Sequence, residues 1–223
     1  MTASAWLQTA LFFGTIIICA KPLGAYMARV YTGERTILSR VFGPLERLAY
    51  RLMGVDANAE AGWATYARQM MIFSAACVLV VYSIQRLQGL LPVNPLALGA
   101  VEPTLALNTA ISFATNTNWQ AYGGENTMSY LTQMLALGAQ NFISAAVGMA
   151  VLVAMVRAFT RAETKTIGNF WVDLTRGTLY ILLPMSLILA IVLASQGVVQ
   201  TFKGPATAQL IEATSDKIGR AHV

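Results

Sequence analysis

Residues 105–122 read LALNTAISFATNTNWQAY, and this stretch decides the fold. Its first half is a short apolar helix, too short to cross a bilayer, which takes about 20 mainly apolar residues. Its second half changes abruptly into Thr115-Asn116-Thr117-Asn118-Trp119-Gln120, polar but without net charge. Long uncharged apolar segments lie on both sides. Irregular polar backbone at membrane depth is tolerated only where it is buried in protein or lines a wet cavity. Threonine and asparagine oxygens with free backbone carbonyls suit a dehydrated monovalent cation, because such filters replace water ligands with carbonyl oxygens. The preceding helix adds to this, since its C-terminal dipole end favours a cation. An extracellular loop would give the same composition and spacing. The pattern predicts membrane helix, pore loop, membrane helix, and ion conduction before catalysis.

Composition sets the class. The chain is 56% hydrophobic and 11% charged, with mean hydropathy +0.57, whereas an average soluble domain carries roughly 25% charged residues. The net charge of +5 does not point to nucleic acid, because the basic residues alternate with apolar spans instead of forming a patch with interleaved aromatics. Cys19 and Cys77 both fall in apolar segments and read as packing residues. The single histidine, His222, is next to the C-terminal residue, which argues against a histidine metal site or a Ser-His-Asp triad. There is no GxxxxGK[ST] phosphate loop and no carboxylate pair within a span, so the chain is not expected to be an enzyme by itself. The N-terminal apolar run precedes the first basic residue, Lys21, and so does not read as a secretory signal.

The expected organisation is an N-terminal transmembrane helix at 1–28, then a cytoplasmic loop at 29–66 holding an amphipathic helix. That helix carries Ile37, Leu38, Val41, Phe42, Leu45, Leu48, Leu52 and Met53 at helical spacing, with Gly43-Pro44 interrupting or starting it. A first membrane–pore–membrane repeat follows at 67–158. Its Arg86 is an interfacial anchor or a vestibule residue, and its Gln133, Gln140 and Asn141 are expected to face protein. A continuous helix over 126–156 would be about 46 Å long, more than the hydrocarbon core of about 30 Å, so it must tilt, bend or project. Residues 159–202 form a second cytoplasmic loop and the first helix of another repeat, with an uncharged span at 177–202. Pro184 inside it is tolerable where a neighbour satisfies the freed carbonyl. Asp173 reads as a helix-surface partner of Arg176 at i+3. Glu102 and Glu125 flank the pore stretch as cation-attracting or simply solvated charges. Basic residues crowd 29–68 and 157–176 and are absent from 87–156, which places both clusters in the cytoplasm and the N-terminus outside.

At TNTNWQAY the sequence resembles the potassium-binding A-subunit family of the bacterial Kdp potassium-transporting P-type ATPase. The resemblance continues through KPLG at 21–24, NTAISFATNTNWQ at 108–120, QNFISAAVG at 140–148, RAFTR at 157–161 and GNFWVDL at 168–174. It implies an all-α integral membrane protein of the superfamily of potassium transporters, built from four membrane–pore–membrane repeats around one filter. For this chain that means about four transmembrane helices, a re-entrant pore helix and an interfacial amphipathic helix. By resemblance, Thr115, Asn116, Thr117 and Asn118 belong to the first repeat's filter and hold K+ through backbone oxygens. Gln120 sits at or beside the filter mouth, and Trp119 packs behind it. The implied partners are the B (ATPase), C and F subunits and membrane lipid, in the bacterial inner membrane. No cofactor is implied beyond the transported K+. A passive or gradient-coupled potassium transporter, or a non-conducting scaffold, remains as an alternative. Family members are more than twice as long, so the chain is expected to be an N-terminal fragment. It holds one repeat and the first helix of the next, with a truncated extracytoplasmic segment at 203–215. The closing IGRAHV resembles what a common sequencing adapter encodes, which marks 216–223 as an expected non-native tail.

Overall fold

Four long apolar helices, Ser4–Thr32, Trp63–Leu90, Thr132–Thr160 and Phe170–Ser195, are each long and apolar enough to span a membrane. They belong to a computed structural model that describes residues 2–161, 165–199 and 201–204; the expected tail at 216–223 and most of 203–215 lie outside these. Among the described residues there is no strand, only one isolated bridge between Ala61 and Gly168. The chain is an all-α integral membrane protein.

Helix α1 (Ala3–Thr32) starts on a Thr2 cap and ends at Gly33 in the left-handed region (φ 81°). Its upper two-thirds touch little: Phe12, Phe13, Ile17, Ile18 and also Cys19 are exposed, so Cys19 faces outward and does not pack. Only the lower end is buried, where Val30 and Tyr31 meet Tyr180 and Ile181. Helix α2 (Ser39–Met53) follows. Gly43-Pro44 neither starts nor interrupts it. The exposed proline lies between Phe42, which packs on the body, and Glu46 and Tyr50, and this shared packed face carries the helix through.

Helix α3 (Trp63–Leu87) continues into a short 3₁₀ turn, Gln88–Leu90. Two buried glutamines at its end organise the chain around the loop at 99–106 and the start of the next span. Gln85 Nε2 donates to the carbonyls of Val81 (3.1 Å) and Ala106 (3.0 Å), joining α3 to helix α4 (Pro103–Ala114). Gln88 Nε2 donates to the Gly99 and Thr127 carbonyls, while its Oε1 accepts from the Ser129 N–H and the Thr132 hydroxyl. One side chain thus satisfies four groups from three segments. Arg86 donates to the Val101 carbonyl and so anchors the same loop.

The long uncharged run is not one helix. A single turn, α5 (Gly124–Thr127), precedes a break at Met128. The span then enters through a π-helical stretch, Thr132–Gly138, before α6 (Ala139–Thr160). Gln133 bonds the Gly124 and Met128 carbonyls and Gln140 is buried, as glutamines in a span require; Asn141 is exposed, contrary to its expected packing. Small residues Ser144, Ala146, Ala150 and Ala154 form the buried face of α6, allowing close helix approach.

The last span begins before the uncharged run, at Phe170. Asn169 caps α7 (Phe170–Arg176) by accepting from the Trp171 and Val172 amides. Asp173 is not a surface partner of Arg176. It is fully buried and bidentate with Arg157 (2.6 and 2.9 Å), and it accepts from the Tyr66 hydroxyl (3.1 Å); Arg176 pairs with Glu46 instead (3.0 Å). Spacing along one helix misses this, because the opposing charges come from α6 and α2. A π-helical stretch, Gly177–Leu182, leads into α8 (Leu183–Ser195). Pro184 cannot donate to the Tyr180 carbonyl four residues back, and the Tyr26 hydroxyl does so at 2.7 Å.

The loop at 56–61 meets Arg161 and residues 165–169 at one end. Asn169 Nδ2 donates to the Asp56 and Ala59 carbonyls, and Arg161 pairs with Glu60 at 2.9 Å. The polar stretch at 115–120 is fastened to Ser144, twelve residues after the Thr132 start of its span, and so lies deeper along α3 and α6 than the Gln85–Gln88 network.

Candidate functional site

Helix α4 starts where Glu102 caps it, accepting from the Leu105 N–H at 2.7 Å, with Pro103 in the first turn. Bonds from the Thr104 and Leu105 amides hold the Glu102 carboxyl below its ordinary pKa. One face of α4, including Ala106, Ala110 and Phe113, is buried against Val81 of α3 and against Met128, Ala136 and Leu137. Helix α4 ends at Thr115.

From there every amide turns back. The N–H groups of Thr115 and Asn116 donate to the Ile111 (3.0 Å) and Phe113 (3.4 Å) carbonyls, and those of Thr117 and Asn118 to the Ser112 carbonyl (3.0 and 3.2 Å). The Trp119 N–H donates to Ser112 Oγ at 2.7 Å, and the same hydroxyl donates to the Trp119 carbonyl at 3.0 Å. The carbonyls of Thr115, Asn116, Thr117 and Asn118 accept no hydrogen bond from any described residue. Two residues reach the left-handed region, Asn116 (φ 61°) and Asn118 (φ 57°), which asparagine tolerates better than most side chains. Alternating asparagines therefore match alternating backbone signs.

Residues 115–120 are all exposed. The hydroxyls of Thr115 and Thr117 lie 3.1 Å apart, and Asn118 Nδ2 reaches Asn116 Oδ1 at 3.5 Å. Asn116 Oδ1 also accepts from Ser144 Oγ of α6 at 3.1 Å, fastening the loop to the next span. Gln120 makes no side-chain hydrogen bond with a described residue. Trp119 departs from expectation: the residue is 58% exposed, and its backbone, not its side chain, is what is held. Sequence reading missed Ser112 and Ser144. The signal for Ser112 was a hydroxyl in the last turn of an apolar helix, seven residues before the end of the polar turn.

The sequence profile of KdpA, the potassium-transporting ATPase A subunit, matches residues 10–223. The chain belongs to this family. It is 59% identical over its whole length to the potassium-transporting ATPase potassium-binding subunit of Sorangium cellulosum, of which it covers 38%. The subunits of the same name from Methylococcus capsulatus and Methylorubrum extorquens are 56% and 52% identical over 96% and 98% of the chain, covering 36% and 38% of those proteins. The chain thus spans little more than a third of the curated relatives it matches.

Proposed function

We propose that this chain supplies the first membrane–pore–membrane repeat of the potassium-binding subunit in an ATP-driven uptake complex. The observation that carries the reading is the one-sided loop: amides of 115–119 folded back onto α4, carbonyls of Thr115, Asn116, Thr117 and Asn118 left open. Such oxygens replace the hydration shell of an entering cation without a fixed charge that would hold it too tightly. The four residues bind K+ through backbone oxygens as one wall of a filter that the remaining repeats complete. Gln120, exposed and unbonded, stands at the mouth and bears on selectivity. The ion then passes through an intersubunit tunnel to the B (ATPase) subunit, with C and F completing the assembly. The chain is non-catalytic and needs no cofactor of its own. The basic ends of α1 and α6 face the cytoplasm, and the N-terminus and loop face outward across the bacterial inner membrane.

The test is growth of a strain lacking high-affinity potassium uptake. The segment is completed with the missing repeats of a relative and expressed with the partner subunits. Growth on micromolar-range potassium is expected, and Gln120→Arg is expected to abolish it or to relax discrimination against rubidium. An assembled complex in which Gln120→Arg leaves growth and rubidium discrimination unchanged would overturn the filter assignment.

A further inference from the structure

At the end of the molecule away from the Gln85–Gln88 network lies a polar cavity of about 510 Å³, lined by residues around the end of α1, by α2 and by the start of the last span. Four arginines line it, Arg35, Arg40, Arg47 and Arg176, against two carboxylates, Glu34 and Glu46. Glu46 is already committed. It accepts from Arg176 Nε (3.0 Å) and from the hydroxyls of Tyr180 (2.6 Å) and Tyr50 (2.8 Å). Arg35, Arg40 and Arg47 form no ion pair among the described residues. One glycine makes room for a guanidinium group: a Cβ at Gly33 would lie 3.0 Å from Arg176 Nη2.

The rim gives the chemistry of the occupant. Ile37, just before α2, and Val41, Leu45, Leu48 and Leu52 on it follow one another at helical spacing and are all exposed, from 48% to 96%. On a helical wheel this stripe is flanked by Arg40, Arg47 and Arg51. An amphipathic helix of this pattern lies in the membrane interface with its apolar face among acyl chains, which puts the flanking cavity at headgroup depth. Guanidinium groups present paired donors that match phosphate oxygens.

We propose that this cavity binds the phosphodiester headgroup of an anionic phospholipid of the cytoplasmic leaflet. Arg35, Arg40 and Arg47 supply the donors, and the α2 stripe receives the acyl chains. The inference rests on the membrane orientation given above but not on the potassium reading. It is therefore tested without potassium.

The 223-residue chain is purified in a neutral detergent, its helicity checked by circular dichroism, and offered dioleoylphosphatidylglycerol, dioleoylphosphatidylcholine or inorganic phosphate. Retained lipid is counted by native mass spectrometry. One retained phosphatidylglycerol, with phosphatidylcholine at least tenfold weaker, is expected. The triple variant Arg35→Gln, Arg40→Gln, Arg47→Gln is expected to lose that preference at unchanged helicity. An equal charge change away from both the cavity and α2, Lys21→Gln, Arg29→Gln, Arg68→Gln, is expected to retain it. Equal retention of both lipids by the unaltered chain, an equal loss in the two triple variants, or displacement by millimolar phosphate of all bound lipid would each overturn the proposal. The last outcome would assign the cavity to free anions.

Discussion

One serine holds the candidate loop. Ser112 serves Thr117, Asn118 and both backbone groups of Trp119, and it is buried. Removing its hydroxyl leaves the Trp119 amide without its partner, at a cost of about 1–3 kcal/mol. Ser112→Ala is therefore expected to raise the potassium concentration for half-maximal uptake by the completed transporter about five- to hundredfold, with Ser112→Thr closer to the original; rubidium-tracer uptake reads both. Backbone sign gives a second expectation. Asn118→Gly keeps the left-handed conformation accessible, whereas Asn118→Val forces a β-branched side chain to positive φ and is expected to disrupt uptake far more. The irregular polar turn was legible from residues 115–118 alone. The role of Ser112 was not, because a serine ending an apolar helix looks the same whether it faces solvent, lipid or the adjoining loop.

Elements were legible where periodicity and length decided them, and obscure where tertiary partners did. Four apolar spans and the amphipathic helix at 39–53 follow from patterning. The start of the last span does not, because Asp173 and Arg176 are neutralised by residues 16 and 130 positions away. Pro184 shows how such a partner works. The Tyr26 hydroxyl takes the carbonyl of Tyr180 that the proline leaves open. Tyr26→Phe is expected to destabilise the chain by about 1–2 kcal/mol. In a Pro184→Ala background, where the helix can supply its own N–H, the same change is expected to cost markedly less. A double-mutant cycle by denaturant unfolding in detergent measures the difference, and additivity would show that the two residues do not share that carbonyl.

At the scale of the molecule, two of the three ion pairs among the described residues bind the helix ends on one side together. Arg157 joins α6 to Asp173 of α7 and also donates to the Tyr31 and Ile167 carbonyls. A Cβ at Gly168 (φ 114°) would run into that guanidinium, so glycine is needed there on both counts. Asp173→Asn leaves a buried cation without its counter-charge and is expected to cost about 3–5 kcal/mol, seen as a lowered unfolding midpoint. Glu46 ties α2 to the last span. Burial alone would raise its pKa, but hydrogen bonds from Tyr180, Tyr50 and Arg176 outweigh that and lower it below 4.5. A carboxyl depressed in the folded state contributes stability above its unfolded pKa and loses it as pH falls through the folded value. Acid destabilisation is accordingly expected to begin below about pH 4.5, and Glu46→Gln is expected to flatten that limb of the stability profile.

The backbone hydrogens at 115–119 all point inward to one helix end. On the filter reading proposed above, a halide arriving at that turn would meet backbone oxygens at 115–118 and none of the 115–119 N–H groups, with no acidic residue taking part. On that reading, the sign of charge is sensed chiefly by the backbone of a single helix–turn unit. Sorting one cation from another needs more oxygens than one such unit presents, and so belongs to whatever surrounds it.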